Sequence, residues 1–267
     1  MNVELCPEMS NTEKFNGQRA LITGGTKGIG KATALRLAGR GAHVYLNYAS
    51  SQADAEATLA ELQALGHSAE LLKADIGDPE QVATLLKKVH ADGPLDMLIC
   101  NAAYSTKVPF VETEFSLLQR SLEVNVLGNF NLIQQAGRVM SEAGVNGRIV
   151  ICSSPHGTFV FPDAFAYDVS KAALNHLMRG VALPLIDDGI RVNAVDIGWT
   201  LTPGERAFTT EAEQHEISQT IIPIKRSAEA DEIAGVIEFL CSDESSYIVG
   251  SLVGADGGFA LRPSTQV

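Results

Sequence analysis

Short apolar runs alternate with longer amphipathic stretches along most of the chain. Arg19–Thr23, His43–Asn47, Ala69–Ala74, Leu95–Asn101, Arg148–Cys152, Arg191–Ile197 and Ser251–Ala255 are mostly apolar throughout rather than on every second residue. That is the pattern of strands buried on both faces. Between them, Ile29–Gly39, Ala53–Leu65, Phe115–Ala143, Phe165–Asp187 and Ala230–Cys241 carry apolar residues at helical spacing. Asp78 before Pro79 reads as an N-cap and first position of a further helix reaching about His90, and Gly66 is placed to end the helix before it.

Strand and helix in strict alternation build a parallel sheet covered on both sides. The expectation is one α/β domain over 17–267, with a doubly wound sheet of about seven strands and helices on both faces. Residues 1–16 are polar and read as a flexible lead-in. The least regular interior stretch is 202–227, TPGERAFTTEAEQHEISQTIIPIKRS. It follows the C-terminal end of the sixth strand, where open α/β sheets bind ligands, and is expected to form a flap over the site.

Composition narrows the function classes. At 267 residues, 45% of them hydrophobic, the chain can bury a sizeable core. Its net charge of −12 should repel nucleic acid and anionic membranes, so neither is expected as a partner. No apolar run approaches the roughly 18 residues of a membrane span. The N-terminal MNVELCPEMSNTEKF lacks the apolar core of an export signal. Cys6, Cys100, Cys152 and Cys241 lie far apart with no CxxC pair, which reads as reduced, buried thiols and no metal site. A cytoplasmic protein acting on a small molecule is the expectation.

Two stretches carry candidate chemistry. Thr23–Gly30, TGGTKGIG, sits between the first strand and first helix. Gly24, Gly28 and Gly30 there would permit a tight turn and let backbone approach a pyrophosphate at the helix N-terminus, the context of a Rossmann dinucleotide site. Downstream, Tyr167 and Lys171 are four residues apart on a predicted helix and so share a face. A phenol is a poor acid/base at neutral pH, and a neighbouring ammonium lowers its pKa. Ser154 ends the fifth apolar run, where its hydroxyl could bond a substrate oxygen.

The spacing Gly24-x-x-x-Gly28-x-Gly30 resembles the TGxxxGxG motif of the short-chain dehydrogenase/reductase family, and the likeness runs from about Gly17 to Phe259. Asp75 in KADIGD is similar to the family's adenine-contacting acid, CNAA at Cys100–Ala103 to its NNAG, and Asn125 in VNVLG to its catalytic Asn. Ser154, Tyr167 and Lys171 match the active-site Ser, Tyr and Lys; RVNAVDIG at Arg191–Gly198 matches RVNxVxPG, and Ala255–Gly258 the closing DGG. The chain departs at Cys100, Ala103 and Ile197, where the family has Asn, Gly and Pro.

The resemblance implies hydride transfer between a nicotinamide and a carbon bearing oxygen. Tyr167 would exchange the proton with the substrate oxygen. Lys171 would lower the pKa of Tyr167 and bond the ribose. Ser154 would stabilise the oxygen, and Asn125 would hold a water near Lys171. Thr202 would hold the carboxamide, and Thr26, Ile29, Ile76, Asn101, Gly198 and Thr200 join the cofactor contacts. Tyr48 stands where NAD-specific members carry an Asp, Ser50 and Ser51 offer neutral donors nearby, and Lys27 could meet a 2′-phosphate. NADP is therefore expected to be preferred, with NAD also admitted.

For the substrate, His156 lies two residues after Ser154, Trp199 and Tyr104 can wall the site, and Glu205 with Arg206 opens the flap. Such polar groups would be left unpaired by a plain hydrocarbon. The SSPH and NYASS runs are similar to parts of the aldose 1-dehydrogenases of the family, which implies a sugar or polyol substrate. The alternatives are a 3-ketoacyl thioester or simple ketone reductase, and a catalytically silent NAD(P)-binding regulator. A homotetramer, frequent in the family, or a homodimer could form through the helices at Phe115–Ala143 and Phe165–Leu185.

Overall fold

The computed structural model describes residues 14–204 and 210–261. The apolar runs become strands β1 (Arg19–Ile22), β2 (His43–Tyr48), β3 (Ala69–Lys73), β4 (Met97–Cys100), β5 (Arg148–Ser153) and β6 (Arg191–Ile197). Helices α1 (Gly28–Gly39), α2 (Gln52–Ala64) and α3 (Pro79–Ala91) connect the first four. Asp78 caps α3 as expected: its carboxylate accepts from the N–H groups of Glu80 and Gln81.

After β4 the chain forms α4 (Phe115–Leu122) and α5 (Asn129–Glu142), and after β5 it forms α6 (Phe165–Leu185). Next come β7 (Thr200–Leu201), α7 (Glu211–Thr220), β8 (Ala228–Glu229), α8 (Ala230–Cys241) and β9 (Leu252–Ala255). The main sheet has seven parallel strands in the order β3-β2-β1-β4-β5-β6-β9.

Because both faces of the central strands are buried, alternate residues feed different cores. Leu21, Leu98, Cys100, Ile149 and Ile151 pack with residues of α3, α5 and α6 such as Leu86, Leu132 and Met178. Ile22, Met97, Ile99, Val150 and Cys152 pack on the opposite side with Leu37, Leu62, Ile237 and Leu240 of α1, α2 and α8. Arg36 of α1 and Arg40 at its C-cap both pair with the buried Glu238 of α8, which ties these two helices together. Cys100, Cys152 and Cys241 are free and buried, and Cys6 lies outside the described residues.

Three expectations need correction. The lead-in does not extend to residue 16. Phe15 is buried in the α1–α8 side of the core, and its N–H donates to the Arg40 carbonyl. The helix expected over Phe115–Ala143 is interrupted by a π-helical turn at Glu123–Gly128. Within 202–227 the described residues are more regular than the sequence suggested. The stretch holds α7, whose start is fixed by a capping box between Thr210 and Glu213, and it leads into β8, which pairs with β7 beside the main sheet.

Candidate active site

The strand order reverses between β1 and β4, and a parallel sheet opens a crevice at the C-terminal edge there. A cleft of ≈ 980 Å³ occupies it. Its floor is the glycine-rich turn. Gly24 has φ +60°, a conformation side chains disfavour, and a Cβ on Gly30 would collide with the Gly24 carbonyl. Asn101 secures the turn, its amide donating to the Thr23 and Gly24 carbonyls at 2.9 and 3.0 Å.

Lys27 gives α1 no side-chain cap, and no acidic residue stands in the helix's first turn. The unsatisfied N–H groups and positive end of the helix dipole are therefore left for an anion. A bare helix start under a side-chain-free turn, at the sheet's switch point, fits the pyrophosphate of a dinucleotide.

At one end of the cleft, the Tyr48 hydroxyl donates to Gln52 Oε1 at 3.0 Å. Lys27 and Ser51 both reach the carboxylate of Asp54, at 3.4 and 2.5 Å. The Ser51 hydroxyl and the Lys27 ammonium hold the Asp54 carboxyl below its usual range. Asp75 has both oxygens engaged, by Arg120 Nη2 at 2.5 Å and by the Gly77 N–H at 2.9 Å.

Towards the other end, α6 carries Tyr167 and Lys171 one turn apart. Lys171 is 3% exposed, and its ammonium donates to the Cys152 carbonyl at 2.7 Å. Burial pushes its pKa down to about 8, against the opposing influence of Cys152 and Asp196. Asp196 lies on β6 opposite Ser153. Its carboxyl is pushed up to about 6 by burial and by Asp256, and its Oδ1 finds no partner among the described residues.

Ser154 follows β5 and begins a short 3-10 turn that carries His156. The imidazole stacks on Phe161, meets the Tyr167 ring edge-on with 4.9 Å between centroids, and bonds Asp168 through Nδ1 at 2.5 Å. Burial lowers the pKa of His156, while the Asp168 carboxylate opposes the shift. Phe161 and Trp199 continue the wall, with centroids 5.9 Å apart, and Phe259 packs against Trp199 with centroids 5.0 Å apart.

Nearly every residue expected at the site meets in this one cleft. Gly24, Thr26, Lys27, Gly28 and Ile29 line it from the turn; Tyr48, Ser50, Asp75, Ile76 and Asn101 line it from the ends of β2, β3 and β4. Ser154, His156, Tyr167 and Lys171 line its other end, with Gly198, Trp199, Thr200 and Thr202. Gly30 and Asn125 lie behind the lining. Asn125 is buried in the π-helical turn; its amide donates to the Tyr104 carbonyl and to Ser170 Oγ, and its Oδ1 accepts from the Tyr104 N–H. It thus clamps the loop after β4. Glu205 and Arg206 lie outside the described residues.

Sequence reasoning missed Asp168, Phe161, Asp54 and Arg120. An Asp in the first turn of a helix is a common helix-dipole preference, so Asp168 carries no signal of its own in the sequence. Asp54 sat within a helix remote from the motifs.

Comparison with known proteins agrees with this geometry. The family described as Enoyl-(Acyl carrier protein) reductase matches residues 24–260. The chain is 34% identical over 252 residues to a glucose 1-dehydrogenase of Gluconobacter oxydans, covering 93% of this chain and 94% of that one. It is 32% identical to an L-rhamnose 1-dehydrogenase (NAD(P)(+)) of Sphingomonas sp., over 93% of this chain and 98% of the relative. The crystal structure of a short-chain type dehydrogenase/reductase from Mycobacterium marinum superposes with a TM-score of 0.88 at 31% identity, over 94% of this chain and 99% of that one.

Proposed function

The chain belongs to the short-chain dehydrogenase/reductase family and is an NAD(P)-dependent oxidoreductase; on that premise we propose that it oxidises a sugar or polyol, taking hydride from a carbon bearing a hydroxyl. The observation that carries this reading is the wall beside Tyr167. An imidazole partner and flat aromatic rings stand side by side there, with His156 stacked on Phe161 and Phe161 next to Trp199. A carbohydrate presents both hydroxyls and apolar C–H faces, and satisfies such a wall. A plain hydrocarbon would leave the second imidazole nitrogen, the one not bonded to Asp168, without a partner, at a cost of about 1–3 kcal/mol. The resemblance to two aldose 1-dehydrogenases supports the same substrate class.

In this reading the bound nicotinamide supplies the hydride acceptor. Tyr167 takes the hydroxyl proton of the substrate. Lys171, charged below about pH 8, favours the phenolate of Tyr167. Ser154 donates to the substrate oxygen as charge builds there. Asn125 acts from behind, by fixing the Tyr104 backbone at the cleft wall.

The cofactor proposed is NADP in preference to NAD. Tyr48 offers no carboxylate against a 2′-phosphate, and Lys27 stands at the turn. Exposed Phe115, Phe130 and Leu183 on α4, α5 and α6 support assembly as a homodimer or homotetramer. The deciding experiment is a turnover panel with both cofactors, setting aldoses and polyols against acetoacetyl thioesters and simple cyclic ketones. Aldose or polyol oxidation should dominate. Thioester reduction without sugar oxidation would replace this reading by that of a 3-ketoacyl reductase.

A further inference from the structure

Asp168 follows Tyr167 directly and stands in the first turn of α6, yet its side chain turns inward and is buried. Both carboxylate oxygens are engaged. Oδ1 meets His156 Nδ1 at 2.5 Å, and Oδ2 accepts the Phe161 N–H at 2.9 Å. The ring of Phe161 in turn stacks on the imidazole, with centroids 3.9 Å apart. One carboxylate therefore fixes both members of the stacked pair, holding the imidazole by its nitrogen and Phe161 by its backbone.

A carboxylate oxygen only accepts, so the proton in the contact with His156 belongs to Nδ1. In a neutral imidazole the other nitrogen then carries a bare lone pair. With Nδ1 turned in to Asp168, the edge left at the cleft is the one carrying Nε2, and the side chain remains 23% exposed there. Burial disfavours the charged imidazole. The edge-on contact with Tyr167 sets the imidazole ring beside the ring of the residue that meets the reacting oxygen.

We propose that Asp168 is a positioning residue: it holds His156 in the Nδ1–H tautomer, so that Nε2 accepts a hydrogen bond from a hydroxyl on the carbon next to the reacting alcohol. The selected class is the vicinal diol, cyclic sugars included. A ketone or thioester oxygen in that place has no proton to give and would face the lone pair. This inference rests on the hydroxylated-substrate reading above and makes it specific about where the second hydroxyl must be.

The test compares kcat/KM for trans-1,2-cyclohexanediol with that for cyclohexanol, in the wild type, Asp168→Asn and His156→Phe, alongside 15N NMR of the imidazole. The wild type should favour the diol by about tenfold, the scale of one well-placed hydrogen bond. The ratio should fall towards one in both variants, while the cofactor Kd, read by titration, reports that each is folded. His156→Phe keeps the ring packing and removes the acceptor, so it decides the matter even if Asp168→Asn does not fold. The NMR spectrum should show Nδ1 protonated and Nε2 bare in the wild type, and lose that bias in Asp168→Asn. Equal or absent turnover of the diol, a ratio untouched by both variants, or a wild-type Nε2–H tautomer would overturn the proposal. Aldoses left unoxidised while the diol preference holds would overturn the sugar reading and leave this one standing.

Discussion

The ammonium of Lys171 lies 5.4 Å from the centre of the Tyr167 ring. A buried cation this close to a phenol favours its ionised form, and the same burial makes the cation itself easier to deprotonate. In the ligand-free protein, Lys171 should titrate near 8 instead of its usual 10.5. Between those values the unfolded chain holds a proton that the folded one has released. On this group's account, stability therefore rises with pH across that window. NMR of the Lys171 side chain checks the value; a midpoint above 10 would contradict it.

Asp54 competes for Lys27. Its carboxylate holds the lysine and Ser51 at the cleft end where a 2′-phosphate would sit, and it adds a negative charge of its own. The groups are exposed, so the effect is modest, in the range of surface ion pairs. Asp54→Asn should tighten NADP(H) binding about threefold to fivefold and change NAD(H) binding little. Lys27→Ala should weaken NADP(H) selectively. Fluorescence titration with both cofactors measures this, and equal responses to the two would remove Lys27 from the account of cofactor choice.

Asn125 satisfies both backbone groups of Tyr104 at 2.8 Å each. Asn125→Ala leaves a half-buried N–H and carbonyl without their partner, at about 1 kcal/mol or more. Urea unfolding should show a lower midpoint with an unchanged slope. An unaltered midpoint would mean that the clamp contributes nothing.

Asp196 is a buried carboxyl whose pKa is raised to about 6 from 3.8. Between those values the folded chain holds a proton that the unfolded chain has lost, so this group lowers stability as pH rises through the window. The cost is absent below about pH 4 and full above about pH 6. Asp196→Asn should therefore raise Tm at pH 7 but not at pH 3.5. A uniform Tm shift at both pH values would trace the effect to packing and not to charge.

The sheet was legible because strands buried on both faces show as apolar runs, and Arg19–Thr23 or Arg191–Ile197 admit few other readings. The cleft was legible because the glycines and the Tyr167–Lys171 pair obey local spacing rules. The interruption at Glu123–Gly128 was not, since one inserted π turn leaves helical periodicity nearly intact on either side. Helix α7 was overlooked although Thr210-x-x-Glu213 is a capping box in plain sight; its polar surface gives no apolar stripe. The His156–Asp168 contact joins residues across the loop between β5 and α6, and no local rule predicts which side chains such a loop brings together.

The most direct test of the central claim is Tyr167→Phe. The change keeps the ring that packs against His156 and removes only the hydroxyl that carries the proton the reaction must move. Steady-state turnover on the best substrate should fall by about 10²–10⁴-fold, the usual worth of a positioned acid/base. The cofactor Kd should stay within about twofold of wild type, because the ring and Lys171 remain in place. A variant that binds cofactor normally and retains most of its activity would contradict the account.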